Sequence, residues 1–249
     1  MKIEKYSANG NDFVIFHSDV KEDRSDLAKE ICHRQNGVGA DGLIVIVPHD
    51  KCNFEWQFYN SDGSSAEMCG NGSRAAAHYA YKHKLAPKKM NFLTLAGVIS
   101  AEVDENMVLS ELTPPEVLET EIEHNNKSWW LVNTGVPHLV NITDNIEDFD
   151  INEARELRYK YNANVNIVFV DENKNIKVRT YERGVEDETL ACGTGMAAGF
   201  YRVYMEKKVD NNIEVYPRSG DTLYLGMNDK TITFRGEVRN TFSAEYNPE

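Results

Sequence analysis

The stretch Cys69-Gly70-Asn71-Gly72 decides the fold, because the chain repeats it as Cys192-Gly193-Thr194-Gly195, 123 residues later. At the same offset and without a gap, residues 43–47 (LIVIV) fall on residues 166–170 (NIVFV). Residues 58–60 (FYN) fall on 181–183 (YER), and Gly97 falls on Gly220. Matches at one spacing over half the chain indicate two copies of one unit. In each copy a short β-branched run reads as a strand, and the Cys-Gly motif opens a helix. The expected fold class is α/β, of the α+β type: two similar β-rich domains, each wrapping a central helix, related by pseudo-two-fold symmetry. Such symmetry brings the two helix N-termini to face each other across a cleft.

The runs at 13–16, 54–58, 129–132 and 176–180 also read as strands. Residues 24–33 and 151–160 have an amphipathic helical pattern, whereas 73–83 and 195–207 are richer in Ala and Tyr and read as buried central helices. The seam is expected at Leu112-Thr113-Pro114-Pro115, before the acidic stretch 116–126. The domains are therefore expected at 1–113 and 114–237, with 238–249 returning to the first. A chain of 249 residues is long enough for two such cores.

With 40 acidic against 27 basic residues, the formal charge is −13, which argues against a nucleic-acid partner. No apolar run is long enough for a membrane span, and MKIEKYSANGNDF lacks the apolar core of a signal peptide. The expected partner is a small-molecule amino-acid substrate, with no membrane and no nucleic acid; a possible homodimer is left open by the residues. Four cysteines without a CxxC pair are too few for a disulfide scaffold, so a reducing cytoplasmic location is expected. Cys32 and Cys52 read as small packing residues.

Cys69 and Cys192 differ, since each opens a helix, where unpaired amides and the macrodipole favour a thiolate. The amides of Gly70-Asn71 and Gly193-Thr194 suit a carboxylate. Two such thiols on opposite sides of an amino-acid α-carbon can act as base and acid and invert it, while the helix amides stabilise charge spreading into the carboxylate. This chemistry needs no metal and no pyridoxal phosphate, so no cofactor is expected. A redox disulfide between the two is a second use of the same proximity. Zinc is disfavoured, because no neighbouring His/Cys set has ligand spacing.

Residues 60–74 (NSDGSSAEMCGNGSR) and 182–195 (ERGVEDETLACGTG) resemble the two signatures of the diaminopimelate epimerases. The motifs at 10–13 (GNDF), 37–42 (GVGADG), 135–138 (GVPH) and 162–165 (NANV) fall in that family's order, so the resemblance spans nearly the whole chain. It implies a cofactor-independent isomerase that interconverts LL- and meso-diaminopimelate in lysine and peptidoglycan precursor biosynthesis, with the active site between two similar domains. It implies that Cys69 and Cys192 are the acid–base pair and that His138 and Glu182 help set their protonation. Gly70, Asn71, Gly193 and Thr194 would bind the reacting carboxylate. Asn11, Asn60, Asn164 and Arg183 would grip the rest of the substrate, Arg183 through its fork of donors. Two positions depart from the pattern: Val136 replaces a frequent Asn, and the turn 185–188 (VEDE) is longer and more acidic.

Residues 37–42 also satisfy GxGxxG, but a dinucleotide loop follows a strand and opens a helix, whereas these glycines precede an apolar strand. The Asn-Gly pairs at 9, 36 and 71 would ordinarily mark hairpin turns, and two lie within the motifs above, so position decides their role. The alternatives are a proline or hydroxyproline racemase or epimerase of the same fold, and a non-catalytic thiol-redox or ligand-binding protein. Arg183 and the asparagines favour a substrate charged at its far end, and two intact Cys-Gly motifs favour catalysis over binding.

Overall fold

The structure is a computed structural model that describes residues 1–247. Residues 248 and 249, the end of the segment expected to return to the first domain, lie outside the described residues. The chain divides into two compact units: Met1–Ser110 with the segment that starts at Gly236, and Glu111–Arg235.

In unit 1, strands β1 (Lys2–Ala8) and β2 (Asn11–His17) form a hairpin. Asn9 and Gly10 make its two-residue turn, both with positive φ (45° and 92°), as the Asn-Gly pair favours. Helix α1 (Ser25–Cys32) leads to β3 (Gly42–Val47) and β4 (Phe54–Asn60). Helix α2 (Gly70–Lys82) follows, then β5 (Lys89–Thr94), β6 (Gly97–Asp104) and β7 (Met107–Glu111). Alternation along β3 divides two cores: Ile44 and Ile46 pack with the Ala75–Ala77 face of α2, while Leu43, Val45 and Val47 pack with Ala28 and Ile31 of α1. Small side chains over 75–77 let α2 lie close to the sheet, and it is buried almost all round.

In unit 2, β8 (Glu116–His124), β9 (Lys127–Asn133) and β10 (Pro137–Ile142) precede α3 (Ile151–Tyr161). Asp150 caps α3 by accepting from the Asn152 amide at 2.8 Å, and Asn162 ends it in a left-handed conformation. Then come β11 (Asn164–Val170), β12 (Ile176–Glu182), the short β13 (Asp187–Thr189) and α4 (Gly193–Met205). Strands β14 (Ile213–Pro217), β15 (Leu223–Asn228) and β16 (Thr231–Glu237) follow, the last leading back to unit 1, where β17 (Arg239–Glu245) pairs with β1.

The duplication is visible in the pairing. Unit 1 runs β17–β1–β2 antiparallel, β2–β3 parallel, β3–β4 antiparallel, β4–β5 parallel and β5–β6–β7 antiparallel. Unit 2 repeats that order and those directions through β8–β9–β10, β11, β12, β14, β15 and β16. The chain thus holds two similar β-rich units, each with a buried helix, and is an α+β protein.

The helices α2 and α4 begin at Gly70 and Gly193, 123 residues apart, earlier than the expected starts at Ser73 and Gly195 because the cysteines themselves occupy the N-cap positions. The strands do not keep that spacing. Gly42 pairs with Asn60 and opens β3, as Asn164 opens β11 opposite the Glu182 end of β12, so the strands match 122 residues apart. The ungapped match of 43–47 on 166–170 is therefore one residue out of register, and one residue exchanges the two faces of a strand. The extra residue lies in the longer acidic turn between β12 and α4. In the corrected register Ile44 corresponds to Asn166, Phe58 to Thr180, and Asn60 to Glu182. Phe13, opposite Gly42, corresponds to His138, opposite Asn164.

Candidate active site

In unit 1, Cys69 has extended φ and ψ (−149°, 113°) and caps α2: its Sγ accepts from the Gly72 amide at 3.3 Å. The helix start is tied to the β1–β2 turn. Asn71 Nδ2 donates to Asn11 Oδ1 at 2.8 Å, and Asn11 Nδ2 donates to Asp41 Oδ2 at 3.0 Å. Arg74, fully buried, donates from Nη2 to Asn71 Oδ1 (2.6 Å) and to Asn9 Oδ1 (2.7 Å). Burial pushes the Arg74 pKa down to about 9, and the adjacent Cys69 acts in the opposite direction. The guanidinium remains a cation at neutral pH, set one helical turn behind the thiol. Asn60, at the end of β4, turns its amide to Ser64 Oγ at 3.0 Å.

In unit 2, Cys192 occupies the same position at the start of α4, also extended (−124°, 109°), with its Sγ 3.5 Å from Thr194 Oγ1. His138 on β10 is fully buried and reaches Thr194 Oγ1 through Nε2 at 2.9 Å. Burial drives its pKa down to about 3, so the imidazole is neutral. Glu182 is pushed up from the ordinary carboxylate range by burial, while Thr189 and the Cys192 thiol draw it part of the way back. Asn164 Oδ1 accepts from the Arg183 amide at 2.7 Å, and Arg183 Nη1 donates to the Asn162 carbonyl at 2.9 Å. Thr134 Oγ1 donates to the Thr194 carbonyl at 2.8 Å, anchoring the first turn of α4.

Of the residues singled out in the sequence, unit 1 gathers Cys69, Gly70, Asn71 and Asn11, with Asn60 held separately by Ser64. Unit 2 gathers Cys192, Gly193, Thr194, His138, Glu182, Asn164 and Arg183. Each unit presents a thiol at a helix N-terminus beside backbone amides, a setting for proton transfer next to a bound carboxylate. Cys32, the buried last residue of α1, has its thiol pushed up to about 12 by burial, the state of an inert packing residue. The acidic turn is occupied internally: Glu186 pairs with Arg158 at 2.7 Å, and Glu188 with Arg179 at 2.6 Å and Arg218 at 3.1 Å. Glu186 and Glu188 thus tie the turn to α3, to β12 and to the segment after β14.

Sequence reasoning missed what lies beneath each helix start. An alanine Cβ at Gly72 would meet Trp56, Cys69 and Ile44 at 3.3–3.4 Å, an apolar floor completed by the edge-to-face pair Phe13–Phe58. The equivalent Cβ at Gly195 would meet Asn166 Oδ1 at 2.4 Å, Thr180 Oγ1 at 2.9 Å and His138 Cε1 at 3.3 Å. One sequence signal was available: Asn166 interrupts an otherwise apolar strand with a polar group.

A sequence model described as diaminopimelate epimerase matches residues 3–118 and 130–239. A diaminopimelate epimerase of Nitratiruptor sp. is 59% identical over 242 residues, covering 97% of each chain. One from Campylobacter lari is 53% identical over 247 residues, covering 99% of each. Among solved structures, a probable proline racemase from Agrobacterium radiobacter superposes with a TM-score of 0.77, covering 100% of this chain and 93% of that one. At 11% identity that likeness shows the fold alone.

Proposed function

The chain belongs to the diaminopimelate epimerase family, and on that premise we propose that Cys69 and Cys192 are the two proton carriers of its reaction. The reaction is a cofactor-independent epimerisation of LL- to meso-diaminopimelate, an isomerase step in lysine and peptidoglycan precursor biosynthesis. One thiolate takes the α-proton: the C–H bond breaks, an S–H bond forms, and the electron pair spreads into the carboxylate. The other thiol gives its proton to the opposite face and is left as thiolate. Helix amides at Gly70-Asn71 and Gly193-Thr194 hold the carboxylate and stabilise the charge that develops there. Asn11, Asn60, Asn164 and Arg183 orient the remainder of the substrate. Glu182 and His138 set the protonation of Cys192 and the polarity around it. The supporting observation is that the two cysteines occupy equivalent N-cap positions in two copies of one unit. A reduced thiol pair requires a reducing compartment, so a cytoplasmic location is part of this reading.

The test is reaction of the reduced protein with LL-diaminopimelate in deuterated water, with no added cofactor. Two carriers on opposite faces predict meso product labelled at the inverted carbon, while recovered substrate at early times carries little label. Cys69→Ala and Cys192→Ala should each abolish conversion. Full activity in either variant, or no label in the product, overturns the assignment.

A further inference from the structure

Asn166 has no part in the chemistry above, yet it heads a buried polar chain that ends on Cys192. Its Nδ2 donates to the Leu139 carbonyl at 2.9 Å, and its Oδ1 accepts from the Thr180 hydroxyl at 2.8 Å. Turning the amide over would set Oδ1 against the Leu139 carbonyl oxygen, two acceptors face to face. The other Nδ2 hydrogen therefore points at His138 Nδ1, 3.0 Å away. Nδ1 must accept, which places the ring proton on Nε2. Nε2–H then donates to Thr194 Oγ1 at 2.9 Å.

Asn164 Nδ2 also approaches Nε2, but at 3.4 Å, and it has the Pro137 carbonyl as an acceptor at the same distance. The opposite tautomer would aim Nδ1–H at the Asn166 amide nitrogen at 3.0 Å, donor against donor, and a protonated ring would meet the same conflict. With its oxygen accepting from His138, the Thr194 hydroxyl has its own proton to give, and Cys192 Sγ lies 3.5 Å away.

We infer that Asn166 is a positioning residue: by fixing His138 as the Nε2–H tautomer, it makes the Thr194 hydroxyl a donor to the Cys192 sulfur and favours the thiolate there. A hydrogen bond donated to the charged form of an acid lowers its pKa. Among the described residues, the titratable and charged groups at this corner include Glu182, His138 and Arg183. Glu182 receives the thiol proton's hydrogen bond, so the hydroxyl of Thr194 opposes it in setting which form of Cys192 prevails. The inference builds on the acid–base role proposed for Cys192, but the measurements below read the chain directly and not through turnover.

The first test is the tautomer of His138 in the whole protein, from long-range proton–nitrogen spectra of histidine labelled with nitrogen-15. Protonated Nε2 and bare Nδ1 are expected; the reverse overturns the inference. The second is the rate of iodoacetamide alkylation at the Cys192 peptide, followed by mass spectrometry across pH. Asn166→Leu, which removes the donor and keeps the shape, should release the tautomer, slow alkylation at neutral pH about tenfold, and move its midpoint upward. Thr194→Val should give the same loss, and Thr194→Ser should restore the rate. Should Asn166→Leu fail to fold, the wild-type tautomer and the Val/Ser pair still decide. Unchanged alkylation in Thr194→Val overturns the inference, whereas a failed epimerase assay with the tautomer and rates as expected overturns only the function.

Discussion

Gly195→Ala is the sharpest single perturbation of this fold, because the same change at the equivalent Gly72 supplies its control. At Gly195 the new Cβ would lie 2.4 Å from Asn166 Oδ1, an atom tied to Thr180, so α4 must lift by about 1 Å to restore ordinary contact. Overpacking of this kind costs about 1–3 kcal/mol, and the gain in helix propensity from glycine to alanine returns about 0.5–1 kcal/mol. The net destabilisation is about 0–2.5 kcal/mol, centred on about 1 kcal/mol, where the drop in melting temperature is roughly 2–4 °C for a chain of this size. Turnover should fall further, on the order of a hundredfold, since a displacement of about 1 Å at a reacting group has that effect. At Gly72 the nearest atom is a Trp56 ring carbon at 3.3 Å, so a shift of a few tenths of an ångström suffices and the propensity gain offsets it. Gly72→Ala should keep turnover within a few-fold. Melting curves and steady-state epimerisation on both variants check this. If Gly195→Ala melts and turns over like Gly72→Ala, the buried polar floor beneath α4 is not as tight as argued.

His138 supplies a pH prediction. Its folded pKa, about 3, is far below the unfolded value, so the unfolded chain binds the extra proton between those limits. Stability from this site is therefore present above about pH 6.5 and is lost as pH falls, at up to about 1.4 kcal/mol per pH unit. Urea midpoints measured from pH 7 to pH 5 should fall less steeply in His138→Gln than in the wild type; parallel slopes would mean that the ring is not buried neutral. Arg74→Met should lower the urea midpoint by the equivalent of about 2 kcal/mol, because Asn71 and Asn9 each lose a buried donor. It should also raise KM, since the turn holding Asn11 is released, and an unchanged midpoint would refute the bracing role.

The repeat was legible because glycine and cysteine tolerate few replacements at a helix start, and α2 and α4 do begin 123 residues apart. Apolar strands such as Gly42–Val47 announced themselves by composition. Strand Glu116–His124 did not, because only Ile122 among its residues is buried, and an exposed edge strand carries no alternation to detect. The ungapped match is one residue out of register, since LIVIV is apolar on both faces and NIVFV is apolar at every position but Asn166, so the two match about as well either way. Cys69, Cys192 and the motif residues around them were visible as a pattern. Arg74, Asn166 and Thr180 were not singled out, because a buried polar residue shows its purpose only through partners distant in sequence.

The exchange of Phe13, Ile44 and Phe58 in one unit for His138, Asn166 and Thr180 in the other has a consequence for how a duplicated protein handles a lopsided substrate. In the two-thiol reaction proposed above, inverting one carbon uses two alike proton carriers, and a tandem copy supplies one from each unit. The molecule that bears that carbon has a single side arm, which both copies cannot receive in the same way. With the helix starts alike, the layer beneath them is apolar in one half and hydrogen-bonded in the other. A chain built from two copies of either half would keep matching thiols at its helix starts but would lose the difference in the layer beneath them.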